Sequence, residues 1–279
     1  MIYLVLAILS STLIAVVMRL SSDKVHANLS MLATNYMVCL LLAAAFSKFQ
    51  VFPAAQPGFP LTVIMGAVNG AMYMLGVVLL QYNTRKNGVV LSSVFIKLGL
   101  LVPMVLSVFL FREIPKLVQA VGFVLAVTAI VLINYEKRVG EKRGGKLPLV
   151  LMLLAGGCGD AMSKVFSVYG TESMGEAFLF YTFLSALVLC VLAAAVRKER
   201  PHPAALLFGF LVGVPNFFCA RFLLLALGQL PAVIVYPTYS VATLLLVTLA
   251  GVAVFREKLK KKQWLALTII LAALVLLNV

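Results

Sequence analysis

Carboxylates are scarce in this chain and histidines scarcer: nine Asp and Glu and two His stand among 279 residues. His26 and His202 both fall in polar connectors, so no histidine cluster is available for a metal ion, and no metal-ligand spacing occurs elsewhere. No paired carboxylates offer general acid and base work. Charged residues of all kinds make up 11% of the chain, against ~25% in an ordinary soluble domain. That shortage excludes a soluble fold, because too little polar surface remains to cover a core of this size. The four cysteines, Cys39, Cys158, Cys190 and Cys219, all lie in apolar runs and read as small buried hydrophobes, not as disulfide or metal partners. Nothing in the sequence asks for a cofactor. The first apolar run lacks a cationic leader and a small-residue cleavage site, so it reads as a retained helix and not a signal peptide.

What is abundant is apolar sequence: 63% hydrophobic residues and a mean hydropathy of +1.10. A helix needs ~20 mostly apolar residues to cross the hydrocarbon core. Ten such spans are expected: Ile2–Leu20, Leu29–Ser47, Leu61–Gln81, Gly88–Leu110, Lys116–Asn134, Leu147–Tyr169, Gly175–Val196, Pro203–Leu227, Pro231–Val254 and Gln263–Asn278. The fold class is therefore all-α integral membrane. The net charge of +14 sits mostly in the short connectors, where membrane topology accounts for it better than nucleic acid does.

The chain is one unit written twice. FREIPKLVQAVGFVLAVTAIVLIN, Phe111 to Asn134, returns as FREKLKKKQWLALTIILAALVLLN, Phe255 to Asn278, with nine identities in 24 positions. Gly66 and Gly70 form a Gly-xxx-Gly that answers Gly209 and Gly213, and Tyr36 answers Tyr181. The expected boundaries are 1–140 and 141–279. Five spans per unit is an odd number, so the second unit enters the membrane from the opposite face and the two form an inverted repeat. Secondary transporters use this device because two inverted halves can exchange conformations, closing one face while opening the other.

The closing motif of each half resembles that of EamA-type proteins of the drug/metabolite transporter (DMT) superfamily. This resemblance covers the whole chain. It implies a small-solute transporter with a cavity lined by the first four helices of each half. It is specific for fold and weak for substrate.

Lys and Arg decide the expected orientation. Connectors one, three, five, seven and nine hold seventeen: Arg19, Lys24, Arg85, Lys86, Lys137, Arg138, Lys142, Arg143, Lys146, Arg197, Lys198, Arg200, Arg256, Lys258, Lys260, Lys261 and Lys262. The other face holds three, Lys48, Arg112 and Lys116. The count places the odd connectors in the cytoplasm and both termini outside a cell (inner) membrane, whereas the resemblance implies cytoplasmic termini.

The remaining three cations, Lys97, Lys164 and Arg221, share the spans with Asp160. A charge at membrane depth costs about 2.5–3.5 kcal/mol on insertion scales, so each asks for a partner, a cavity or a function. Lys97 and Asp160 fall near the midplane, in opposite halves, at positions that could face each other. Lys164 lies four residues after Asp160 and could neutralise it along one helix face. The candidate substrate-binding residues are Lys97, Asp160, Arg221, Asn69, Tyr73, Tyr36, Tyr181, Asn216, Tyr236 and Tyr239. A lone Asn or Tyr in a span more often bonds helix to helix, and it is their fall on corresponding helices that groups them. Gly156, Gly157 and Gly159 permit close packing or unwinding beside Asp160, and Pro103, Pro215 and Pro237 break or kink their spans.

Two cations against one anion argue for a solute with an acidic group, an amino acid or another small carboxylate, moved by alternating access with proton coupling left open. The alternatives are an exporter of cationic or amphipathic drugs or quaternary amines, and a membrane-embedded lipid-modifying enzyme. The lone Trp264 lies by the basic face, where indoles anchor, which leaves only tyrosines to build a cage for a quaternary ammonium. The expected partners are a small-molecule substrate and the bilayer, with no nucleic acid, in a monomer or homodimer.

Overall fold

The computed structural model describes all residues but 23, 26–27, 49, 53–55, 88–91, 93–94, 135–144, 257–260 and 279. Ten α-helices occur among the described residues: α1 Ile2–Ser21, α2 Asn28–Phe46, α3 Phe59–Asn87, α4 Leu101–Phe111, α5 Leu117–Asn134, α6 Lys146–Tyr169, α7 Gly175–Val196, α8 Pro203–Gln229, α9 Ala232–Phe255 and α10 Lys261–Leu277. Seven are long and apolar enough to cross a membrane, and the segments 95–111, 117–132 and 263–277 are shorter apolar helices. Helices are what such a composition must form in lipid, because every backbone polar group has to be satisfied within its own segment. Lys137, Arg138, Lys142, Arg143, Lys258 and Lys260, and the expected boundary between 140 and 141, lie outside the described residues.

The fourth span, expected over 88–110 with a break or kink at Pro103, is interrupted about one turn before that proline. A 3-10 turn, Leu98–Leu100, separates Lys97 from α4. Pro103 explains it: without an N–H it leaves the Gly99 carbonyl no partner four residues on, and the chain tightens to three-residue bonds. Gly99 also lies against α6, where an added Cβ would come within 3.3 Å of the Gly157 nitrogen and the Leu153 carbonyl.

The chain forms two compact units, and neither coincides with a sequence half: Met1–Met74 with Met162–Gln229, and Leu75–Ala161 with Leu230–Val279. In the first unit α8 packs against α1 and α2, and α2 packs against α7. The repeated Gly-xxx-Gly does the same work twice. On α3, a Cβ at Gly66 would meet the Tyr181 Cβ of α7 at 2.7 Å. On α8, Cβ atoms at Gly209 and Gly213 would meet Thr34 at 2.6 Å and Val38 at 2.7 Å on α2. Since α8 is the repeat of α3 and α7 that of α2, one small-residue seam appears in both orders.

In the second unit α5 lies along α10. Ala126 and Ala129 form a core with Leu267, Ile270, Ala273 and Leu277. α9 packs against α10, α4 and α5. Asn83 on α3 donates to the carbonyls of Leu79 and Pro148, both at 2.8 Å, and accepts from Asn87 at 2.9 Å.

Among the described residues the non-glycine positive-φ positions are Lys48, Arg112, Lys198 and Arg256, at φ 52, 54, 52 and 53°. They follow the C-termini of α2, α4, α7 and α9, so they form two pairs related by the repeat. A left-handed basic residue there ends the helix and offers its charge to the negative end of the dipole. The next residue is put to use in both units. Glu199 accepts the Ser30 N–H at 2.8 Å near the start of α2, and Glu113 accepts the N–H groups of Ala232 and Val233 at 2.7 and 3.3 Å at the start of α9.

Candidate functional site

Charge within the spans gathers at two places. In the second unit, Lys97 at the start of the 3-10 turn and Asp160 on α6 are electrostatic partners. Lys97 keeps an exposed side chain and Asp160 a half-buried one, so neither is sealed into the packing. Glycine brings them close: Gly157, one turn before Asp160, meets the Lys97 segment at Gly99 and Val102. From α9, Tyr236, only 2% exposed, donates its hydroxyl to the Asp160 backbone carbonyl at 2.5 Å. That contact leaves the carboxylate itself uninvolved. Tyr239, on the same helix, is half-buried. The three side chains thus bring a cation, an anion and a phenol together on the second unit, from helices of both sequence halves.

In the first unit, Arg221 on α8 is bonded to Glu176, at the start of α7, through Nε at 2.5 Å. Its guanidinium lies 4.6 Å from the centre of the Phe46 ring. Phe46 in turn touches Phe217 and Phe218, and Phe218 stacks on Phe222. Arg221, a candidate site cation in the sequence, is thereby held by an acid and a ring.

The remaining candidates in the first unit mostly join helices. Asn69 on α3, 1% exposed, donates to Thr182 on α7 at 3.4 Å, and its carbonyl oxygen has no partner among the described residues. Asn216 on α8 donates to Asn35 on α2 at 3.1 Å. Thr182 and Asn35 stand 147 residues apart, as do Asn216 and Asn69, so the repeat uses a polar cross-link twice. Tyr181 donates to the Val51 carbonyl at 3.0 Å, edged by Phe52, Phe59 and Phe180. Tyr36 is buried on α2, and Tyr73 is half-buried on α3. Cys39 and Cys190 serve as buried donors to the carbonyls of Gly213 and Leu29, and all four cysteines are free thiols.

Sequence reasoning missed Glu176 and Glu113. Glu176 stands 45 residues from Arg221 and carries no local mark of its partner; Glu113 was visible as part of the repeated motif, though not its target. Asn35 was readable, a polar residue in an apolar run one place before Tyr36.

The profile of the EamA-like transporter family matches residues 1–135 and again 147–279. An uncharacterised protein of Haemophilus influenzae (strain ATCC 51907 / DSM 11121 / KW20 / Rd) is 22% identical over 283 residues, which is 97% of this chain and 95% of its own length. A solved crystal structure, 15% identical, matches 99% of this chain and 94% of its own with a TM-score of 0.79, a likeness of fold. Ten helices among the described residues, seven of them long and apolar enough to cross a membrane, and the doubly matched profile lead to one conclusion: the chain belongs to the EamA-like transporter family, a multi-pass membrane transporter of the drug/metabolite transporter superfamily built from two repeats.

Proposed function

We propose that this protein is a secondary active transporter of a small zwitterionic or acidic metabolite, with an amino acid favoured, working by alternating access as a monomer or homodimer. The observation that carries the reading is the accessible Lys97–Asp160 pair, with Tyr236 on the Asp160 backbone. The bond from Arg221 to Glu176 removes one cation from the account, and Lys164, buried on α6, belongs to the first unit, so the second unit's site holds one charge of each sign. A pair of that kind suits a solute carrying both charges better than it suits a quaternary ammonium, which would meet Lys97 with no gain.

Asp160 is also the group we assign to proton coupling. A substrate carboxylate drawn to Lys97 competes with Asp160 for the same cation, so substrate binding favours a proton on Asp160 and links the two fluxes. A thermal-shift screen of the purified protein against amino acids, carboxylates, nucleobases and quaternary amines identifies the substrate. In proteoliposomes, Asp160→Asn is then expected to lose accumulation driven by a pH gradient and to keep counterflow exchange of labelled substrate. Accumulation that survives the substitution removes Asp160 from coupling. Loss of counterflow as well makes it a binding or structural group.

For orientation we propose a cell-membrane protein with the basic odd connectors in the cytoplasm. In a cysteine-free background, a cysteine at Glu172 is expected to react with an impermeant thiol reagent on intact cells, and one at His202 is not. The reverse pattern inverts the topology.

A further inference from the structure

Helix α9 begins without a cap of its own. Its N-cap residue is Pro231, which has no side-chain oxygen to offer, and the first N–H groups point to Glu113 instead. Glu113 is delivered there by the left-handed Arg112, and its own N–H donates to the Ser107 carbonyl at 3.1 Å. The second end of this first turn is equally open. Pro237 lies inside α9 and lacks an N–H, so the Val233 carbonyl loses its partner four residues on. Ala232 to Tyr236 is thus a single turn tied less firmly to the rest of its helix. It is held at one end by the Glu113 carboxylate and at the other by Tyr236 on the Asp160 carbonyl.

We propose that Glu113 is a positioning residue of the site: by capping α9 from 119 residues away it sets Tyr236 against Asp160. It accepts the Ala232 and Val233 N–H groups and acts through the turn. A carboxylate suits the task because it accepts two N–H groups and meets the positive end of the helix dipole, while an amide oxygen can replace the bonds without the charge. The assignment rests on the reading of Asp160 and Tyr236 as transport groups. Its test is made without transport, so the two can fail separately.

Hydrogen–deuterium exchange of the full-length protein in detergent reads the turn directly. Glu113→Ala is expected to speed exchange in the peptide spanning Ala232 to Tyr236 about fivefold, the size of a lost cap. The peptide around Asp160 should follow, while α5 and α10 keep wild-type rates. Glu113→Gln should restore both peptides, and Tyr236→Phe should loosen the Asp160 peptide alone. If Glu113→Ala does not accumulate, Glu113→Asp, which withdraws the carboxylate by one methylene, carries the same expectation at smaller size. Unchanged exchange at 232–236, or equal acceleration across α5 and α10, overturns the proposal. So does a Gln variant that behaves like Ala.

Discussion

In the first unit a cation within the spans is closed off. Arg221 is bonded to Glu176, lies over Phe46, and has a side chain only 26% exposed. In the second unit Lys97 lies within electrostatic reach of Asp160 and keeps an exposed side chain, on a stretch where a 3-10 turn and paired glycines replace close side-chain packing. The chemistry of the two cations follows the same division. Arginine presents a planar fork that locks onto a carboxylate and stacks on a ring, whereas lysine is a point charge on a flexible stem that gives up a partner easily. One pair reads as structure and the other as a site, which makes the difference between them measurable.

The largest expected effect is on activity and falls in the second unit. Lys97→Met should abolish transport of the substrate found by the thermal-shift screen while its detergent melting temperature stays within about 3 °C of wild type, the shift expected for about 1 kcal/mol in a chain of this size. A collapse of folding, rescued by adding Asp160→Asn, would make the Lys97 pair structural and erase the contrast with Arg221.

The next effect is on stability and falls in the first unit. Removing one partner of a largely buried pair leaves the other uncompensated, which costs about 3–5 kcal/mol at full burial. Glu176 is 23% exposed and Arg221 26%, so a lower figure applies. Arg221→Gln should lower stability by about 2 kcal/mol, seen as about 4–8 °C in melting. Adding Glu176→Gln should recover at least half of that. Strict additivity of the two substitutions would show that the pair contributes nothing as a pair, and a loss of substrate binding in the single variant would move Arg221 into the site.

How far these differences were legible in the sequence depends on the range of the interaction. The repeat was legible because periodicity and motif survive copying: the Gly-xxx-Gly at Gly66 and Gly209, and the Phe-Arg-Glu at Phe111 and Phe255, announce two equivalent units. Membrane depth picked out Lys97, Asp160 and Arg221, since a charge in an apolar run is conspicuous by itself. The choice of partner was not legible. Arg221 finds Glu176 through the packing of α8 with α7, and Asp160 has a cation four residues along its own helix as well as Lys97 from elsewhere. The interruption between Lys97 and α4 was half-legible: Pro103 marks a breaker in the sequence, but its effect appears at Gly99, one turn earlier.

The smallest effect tests what the units share. In each, a left-handed basic residue is followed by a glutamate that caps a helix start, Lys198-Glu199 for α2 and Arg112-Glu113 for α9. After α7 the ending is well formed: the Glu199 N–H donates to the Ala194 carbonyl at 3.0 Å and the Lys198 N–H to the Ala195 carbonyl at 3.1 Å. A side chain in the left-handed region costs about 1–2 kcal/mol, which glycine relieves. Glycine in turn adds unfolded-state entropy of about 0.5–1 kcal/mol, and the lysine charge at the dipole end is worth about 0.3–1 kcal/mol. The terms nearly cancel, so Lys198→Gly should leave the melting temperature within about 2 °C of wild type. Lys198→Val keeps the backbone cost, adds a β-branch and loses the charge, and should melt lower than the glycine variant. It should also speed hydrogen exchange at the start of α2, where Glu199 holds the Ser30 N–H. If valine and glycine melt alike, the left-handed turn is not what places Glu199. If α2 exchange does not respond, the glutamate cap in the first unit is incidental and the device belongs to the second unit alone.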